Sequence, residues 1–164
     1  MAKQARRAKK TSPASRARRK IPARRRAAHT KPVAKPRPKK QTFVASHHRP
    51  DAFEVGLRRY AQYRDLGIAA ATGGLARAHV IKMIPPCDPA EVSKRHYHDV
   101  DFQMIYVLKG WIKAEYDGAG VVTMREGSCW LQPPKIKHTV LDYSDDCELL
   151  EIILPADFET VELA

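Results

Sequence analysis

The chain has 164 residues, 43% of them apolar, with 30 Lys and Arg against 18 Asp and Glu, a net charge of +12 at pH 7. That length allows one ordinary domain and some extra, and no apolar run approaches the roughly 18–20 residues of a membrane span. Three cysteines, Cys87, Cys129 and Cys147, without CxxC spacing argue against a disulfide scaffold and for a reducing, cytoplasmic setting.

The charge is uneven. Residues 1–50 hold 18 of the 30 basic residues and no acid, so they carry +18; residues 51–164 hold the other 12 and all 18 acids, so they carry −6. A basic tail, 1–50, therefore precedes a mildly acidic domain, 51–164, whose length of about 115 residues suffices for a core. The tail is nearly all Ala, Lys, Arg, Ser and Pro, without apolar periodicity and with prolines at 13, 22, 32, 36 and 38. Such a segment buries too little to offset chain entropy and is expected to be disordered. Its Lys/Pro-rich part resembles the tails of linker-histone-like proteins in composition alone. Residues 1–40 are suited to non-specific nucleic-acid binding by counterion release, and with no aromatic residue before Phe43 they have no means of base stacking. A solubilising tail, a transit peptide and an over-extended start are the competing readings. His29, His47 and His48 read as solvated.

In the domain, residues 53–74 mix apolar and charged positions without a clean period, so an edge strand pair and a short helix both remain open. Short segments at strand spacing follow at 77–84, 97–99, 103–108, 111–116, 121–125, 129–132, 138–143 and 148–154. Turn chemistry separates them: Pro85-Pro86, Lys109-Gly110, Asp117-Gly118, Glu126-Gly127, Pro133-Pro134 and Ser144-Asp145-Asp146. Many short strands without a long helix predict an all-β barrel or sandwich. WIKAEY (111–116) alternates cleanly, with Ile112, Ala114 and Tyr116 on one face. QMIYVL and LLEIIL are apolar on both faces, and a second copy of the chain is the economical cover, so a homodimer is expected.

The chemistry concentrates in RHYHDVDFQMIYVLKG (95–110). Residues two apart on a strand point the same way, roughly 6.5–7 Å apart, so His96 and His98 can converge on one ion. Gln103 opens the next strand with an amide oxygen, and His138 begins a later strand that can return to the same wall. Imidazole is a favoured ligand for Fe, Mn, Ni or Zn.

The spacing His96-x-His98, four residues, Gln103, six residues, Gly110 resembles the first motif of the cupin superfamily. Gly127, five residues, Pro133, then His138, three residues and Asp142 resembles the second. The resemblance covers about residues 75–155, close to a small single-domain RmlC-like cupin. It implies a double-stranded β-helix, a jelly-roll-like barrel, with one divalent metal ion held by His96, His98, Gln103 and His138. The chain departs from the family pattern at Gln103, usually Glu, at Ala90 and Lys135, usually Gly, and at Asp142, usually Asn. Three imidazoles and an amide leave a divalent ion its full charge, which makes it a stronger Lewis acid toward an anionic substrate. The weaker amide also allows Gln103 to stand just outside the metal's ligands.

Strand parity adds His79, Tyr116 and Glu151 as candidate pocket groups, His79 set against a structural histidine and Glu151 against an edge or interface carboxylate. Cys129 is expected to be a buried structural cysteine. If the protein is an enzyme, the resemblance favours an oxygenase-type reaction on a small molecule, with isomerase or decarboxylase chemistry equally compatible with the ligands. A non-catalytic ligand-binding or sensor barrel, and a barrel tethered to nucleic acid by its tail, are the alternatives.

Overall fold

The computed structural model describes residues 40–56 and 58–163. The disordered-tail expectation, with its nucleic-acid and transit readings, falls mainly on residues 1–39 and lies outside the described residues. Residues 40–50 are exposed and run along the domain. Thr42 N–H donates to Ala71 O at 2.9 Å, and Arg64 Nη1 donates to Ser46 Oγ at 3.1 Å.

Eleven strands are described: β1 (Glu54–Val55), β2 (Ala61–Asp65), β3 (Arg77–Met83), β4 (His96–Asp99), β5 (Phe102–Lys109), β6 (Trp111–Tyr116), β7 (Gly120–Arg125), β8 (Cys129–Leu131), β9 (His138–Tyr143), β10 (Glu148–Leu154) and β11 (Glu159–Glu162). Two four-residue helices, α1 (Ile68–Ala71) and α2 (Pro89–Val92), complete them. The alternating and apolar segments form strands within a residue or two of the sequence expectation. Residues 53–74 resolve both ways, into β1, β2 and α1. β11 lies beyond the expected core of 75–155, so the barrel uses more of the chain than the resemblance covers. No helix among the described residues is long and apolar enough to cross a membrane.

The strands form two antiparallel sheets, ordered β1-β2-β3-β10-β5-β8 and β11-β4-β9-β6-β7. This is the all-β, jelly-roll-like barrel that the family resemblance implied. Register fixes what each level of the six-stranded sheet points inward. Arg77, Ile153 and Gln103 share one row, His79, Glu151 and Ile105 the next, and Ile81, Leu149 and Val107 the third. Polar groups thus occupy the levels nearer one end, and apolar ones close the other, where Val107, Ile112, Met124, Tyr143, Cys147 and Leu149 form the core. The gradient dries one end and leaves the other able to hold a ligand.

The opposite face of that sheet is apolar too. Leu150, Tyr106 and Cys129 lie in one row, and Ile152, Met104 and Leu131 in the next. Cys129 is exposed on β8 rather than buried. It shares its parity with Leu131, 58% exposed, while Trp130 takes the inner side.

Gly110 makes the β5–β6 turn at φ +68, where a Cβ would collide with Ser144 Oγ and lie 2.7 Å from Asp146 Oδ1. Gly118, at φ +80, has nothing within 4 Å. G118A is therefore expected to cost about 1 kcal/mol of left-handed strain alone, and G110A about 2–4 kcal/mol from strain plus overpacking. Urea unfolding of the two variants checks the difference.

Candidate metal centre

β4 and β9 meet at a single register pair, His96 opposite His138. Directly opposed residues of antiparallel strands bring their Cβ atoms within ~4.5–5.5 Å, and His98, two residues on from His96, shares that face. The ring centroids stand 4.3 Å apart for His96–His138, 5.1 Å for His96–His98 and 5.3 Å for His98–His138. One ligand nitrogen from each lies within 4.8 Å of the others.

The outer nitrogens are all occupied. His96 Nδ1 is 2.7 Å from Lys94 O, His138 Nδ1 is 3.0 Å from Ile136 O, and His98 Nδ1 is 2.9 Å from Thr160 Oγ1. A carbonyl oxygen only accepts, so Nδ1 of His96 and His138 must carry the hydrogen, which leaves their Nε2 atoms unprotonated on the inner side, that of His138 accepting from Gln132 Nε2 at 3.3 Å. The Thr160 contact can fix His98 in the same tautomer. Burial pushes the pKa of all three imidazoles down to about 4, so they are neutral at neutral pH. Three neutral imidazoles with tethered outer nitrogens fit a divalent ion, the outer hydrogen bonds acting as the supports that metal-binding histidines ordinarily have.

Gln103 faces this cluster from the other sheet, with both ends of its amide engaged. Its Nε2 donates to Glu151 Oε1 at 2.6 Å, and its Oε1 accepts from Gln132 Nε2 at 3.2 Å. Glu151 also accepts from His79 Nε2 at 2.6 Å. Burial raises the Glu151 carboxyl, but hydrogen bonds from His79 and Gln103 outweigh it and hold the group ionised, below its ordinary value. His79 packs edge-on against Tyr63, their centroids 5.3 Å apart. The structure thus brings His79 and Glu151 together inside the barrel, not at an edge. Tyr116 stacks on His138 at 5.5 Å and 18°, and its hydroxyl, held protonated by burial, donates to Gln132 Oε1 at 3.4 Å.

Gln132 joins the two sheets and was not singled out from sequence. Its Oε1 accepts from Tyr116 and from Trp130 Nε1, while its Nε2 donates to Gln103 and stands 3.3 Å from His138 Nε2. The clue was parity: Gln132 shares a face with Trp130, an aromatic residue in an otherwise short, turn-bounded segment. Thr160 was missed because the strand that carries it was. Lys135 stands where the family usually has Gly, and it adopts the left-handed conformation, φ 61, that the position demands. Its N–H donates to His98 O at 3.1 Å and its ammonium pairs with Asp99 at 3.0 Å, tying the β8–β9 turn to β4, the strand that carries His96 and His98.

The histidines, Gln103, Glu151, His79 and Tyr116 all line one cavity of about 1080 Å³, which has room for a small molecule beside the cluster.

Comparison with known proteins agrees with this fold. Residues 87–153 match the family described as Cupin domain. Solved structures with a similar fold include the polyketide cyclase RemF from Streptomyces resistomycificus, with 16% identity, TM-score 0.60 and coverage of 74% of this chain and 87% of that one. KdgF from Halomonas sp. matches at 17% identity and TM-score 0.50, over 63% of this chain and 86% of that one. Salicylate 1,2-dioxygenase from Pseudoaminobacter salicylatoxidans matches at 8% identity and TM-score 0.53, over 66% of this chain but 30% of that longer one. The same search among curated proteins gives no match.

The histidine shifts set a pH window for the metal-free protein. Each pKa is lower folded, about 4, than unfolded, 6.5, so the unfolded chain takes up protons that the folded cluster refuses. Stability is therefore full above pH 6.5 and falls as pH drops toward 4. Chelator-treated protein is expected to lose about 10 °C of Tm or more between pH 7 and 4.5. The triple variant H96N/H98N/H138N should show a flatter profile over the same range in scanning calorimetry.

Proposed function

We propose that this chain, which carries a cupin domain over residues 87–153, is a metal-dependent enzyme that activates and deprotonates a small molecule held in the barrel cavity. The observation that supports this best is the placing of three inward-facing neutral histidines and a buried, ionised Glu151 on opposite walls of one cavity. His96, His98 and His138 would hold a single divalent ion of the Fe, Mn, Ni or Zn kind, with Gln103 beside them. That ion supplies Lewis acidity toward a substrate oxygen, undiminished by any carboxylate ligand.

The chain's own groups do the rest. Gln103 carries no charge, and its amide holds Glu151 Oε1 in place while taking its own orientation from Gln132. His79 holds the other carboxylate oxygen. Glu151, gripped at both oxygens and ionised, is the group placed to accept a proton from the bound molecule. Tyr116, kept protonated, fixes Gln132 and walls His138. Other members of the fold, a polyketide cyclase and a dioxygenase among them, support small-molecule chemistry in a barrel of this kind.

The measurement is solvent-deuterium exchange into a panel of small carbon acids by the Zn(II)- or Mn(II)-loaded protein, run beside oxygen uptake by the Fe(II)-loaded protein. Exchange is expected, and E151Q should lower it roughly 10²–10⁴-fold while retaining the metal. Oxygen uptake without exchange would replace proton transfer by oxygenase chemistry. Neither activity would make the barrel a ligand-binding or sensor protein and overturn the reading.

We also propose that two copies associate through the outer face of the six-stranded sheet. Support comes from the contiguous rows Leu150–Tyr106–Cys129 and Ile152–Met104–Leu131, with Phe102, Tyr106, Leu108 and Leu131 exposed. The three unpaired cysteines support a reducing compartment. Sedimentation velocity is expected to give a dimer for the wild type and a monomer for L131E; a monomeric wild type at micromolar concentration would contradict it.

A further inference from the structure

The last strand, which the sequence reading left outside the core, organises the mouth of the three-histidine cavity. Phe158 just before it, and Thr160 and Glu162 on it, each hold a group at that mouth. Thr160 Oγ1 meets His98 Nδ1, and the Glu162 carboxylate pairs with Arg58. Phe158 packs edge-on against His98, centroids 5.6 Å apart, while the Arg77 guanidinium lies 5.9 Å from its ring centroid. One aromatic ring therefore touches both a metal-facing histidine and a cation.

The two arginines differ. Both line the cavity. Arg58 has Glu162, although its buried Nη2 lacks a hydrogen-bond partner. The Arg77 side chain has neither an ion-pair nor a hydrogen-bond partner among the described residues. It stands opposite Ile153, which stands opposite Gln103, so it is two strand spacings, about 10 Å, from Gln103 along one row. Glu151, in the next row, is held by His79 and Gln103 and forms no ion pair with it. A guanidinium without an ion-pair partner thus faces the same cavity as three neutral imidazoles. The ring under it restrains the guanidinium, and the planar fork of N–H groups suits a carboxylate.

We propose that Arg77, seated on Phe158, is the anchor for a carboxylate group of the substrate, so that the cavity selects small carboxylic acids whose other end reaches the three-histidine centre. This deepens the functional reading above and rests on it for the second half of that statement. Arg77 is thereby a specificity-determining residue, and the carboxylate it takes stays bound throughout rather than being the reacting group.

The test is calorimetric titration of the full chain with benzoate, pyruvate and succinate, each beside its neutral amide, on Zn(II)-loaded and chelator-treated protein. At least one acid is expected to bind about tenfold or more tightly than its amide. R77Q should weaken that acid about tenfold or more and leave the amide unchanged, with R77K recovering part of the loss. If R77Q loses the amide as well, recovery of both by R77K supports the anchor, and loss of both in R77K rejects it. No acid bound more tightly than its amide, or an acid affinity that R77Q leaves unchanged, would overturn the proposal. The two readings fail separately. Arg77-dependent preference for acids in a protein that takes up no zinc removes the metal reading alone, whereas zinc uptake with a silent R77Q removes the anchor alone.

Discussion

The outward hydrogen bonds of three imidazoles are the constraint on which the rest of the site depends. Lys94 O, Ile136 O and Thr160 Oγ1 take the Nδ1 side of His96, His138 and His98, and the unprotonated Nε2 atoms of His96 and His138 face inward, the latter 3.3 Å from Gln132 Nε2. Two of those acceptors are backbone carbonyls just ahead of the strands that carry the histidines, so folding itself sets the tautomer. The third comes from the final strand and couples the site to the end of the chain.

Around this cluster the two sheets divide the work. The five-stranded sheet carries the histidines, with His96 and His138 directly opposed and Tyr116 beside them. The six-stranded sheet carries Gln103, Glu151 and His79 in adjacent rows. Gln132 spans the gap with all four of its amide hydrogen bonds in use. A carboxylate at position 103 would place a negative charge beside the three histidines. Here the carboxylate is one strand away, at Glu151, and the amide of Gln103 holds it. The imidazole cluster and the buried carboxylate thereby stand on different sheets.

Much of this was legible in the chain. The strands 111–116, 138–143 and 148–154 emerge at those residues, because apolar alternation or apolar runs end there at turn-forming pairs. The histidine cluster followed from His-x-His parity and the spacing to His138. What was not legible has specific causes. Strand β10 is apolar on both faces, so nothing in LLEIIL indicates which side is inside, and Glu151 read as an edge carboxylate as readily as a pocket one. The short strands β1, β2 and β11 are rich in charged residues and lack a clear alternation, since their stability comes from pairing with neighbours rather than from their own burial. Thr160, Phe158 and Arg58, which complete the mouth, lie in or next to those segments. Cys129 misled for a related reason: a three-residue edge strand carries too little pattern to show that Trp130, and not the cysteine, turns inward.

The central claim is that His96, His98 and His138 present three inward nitrogens to one divalent ion. Zinc K-edge X-ray absorption on the zinc-loaded full chain addresses it most directly. The result expected is three imidazole nitrogens at about 2.0–2.1 Å, with the imidazole outer-shell pattern lost in H98A. Zinc that is not retained, or that shows sulfur neighbours at about 2.3 Å, would contradict it.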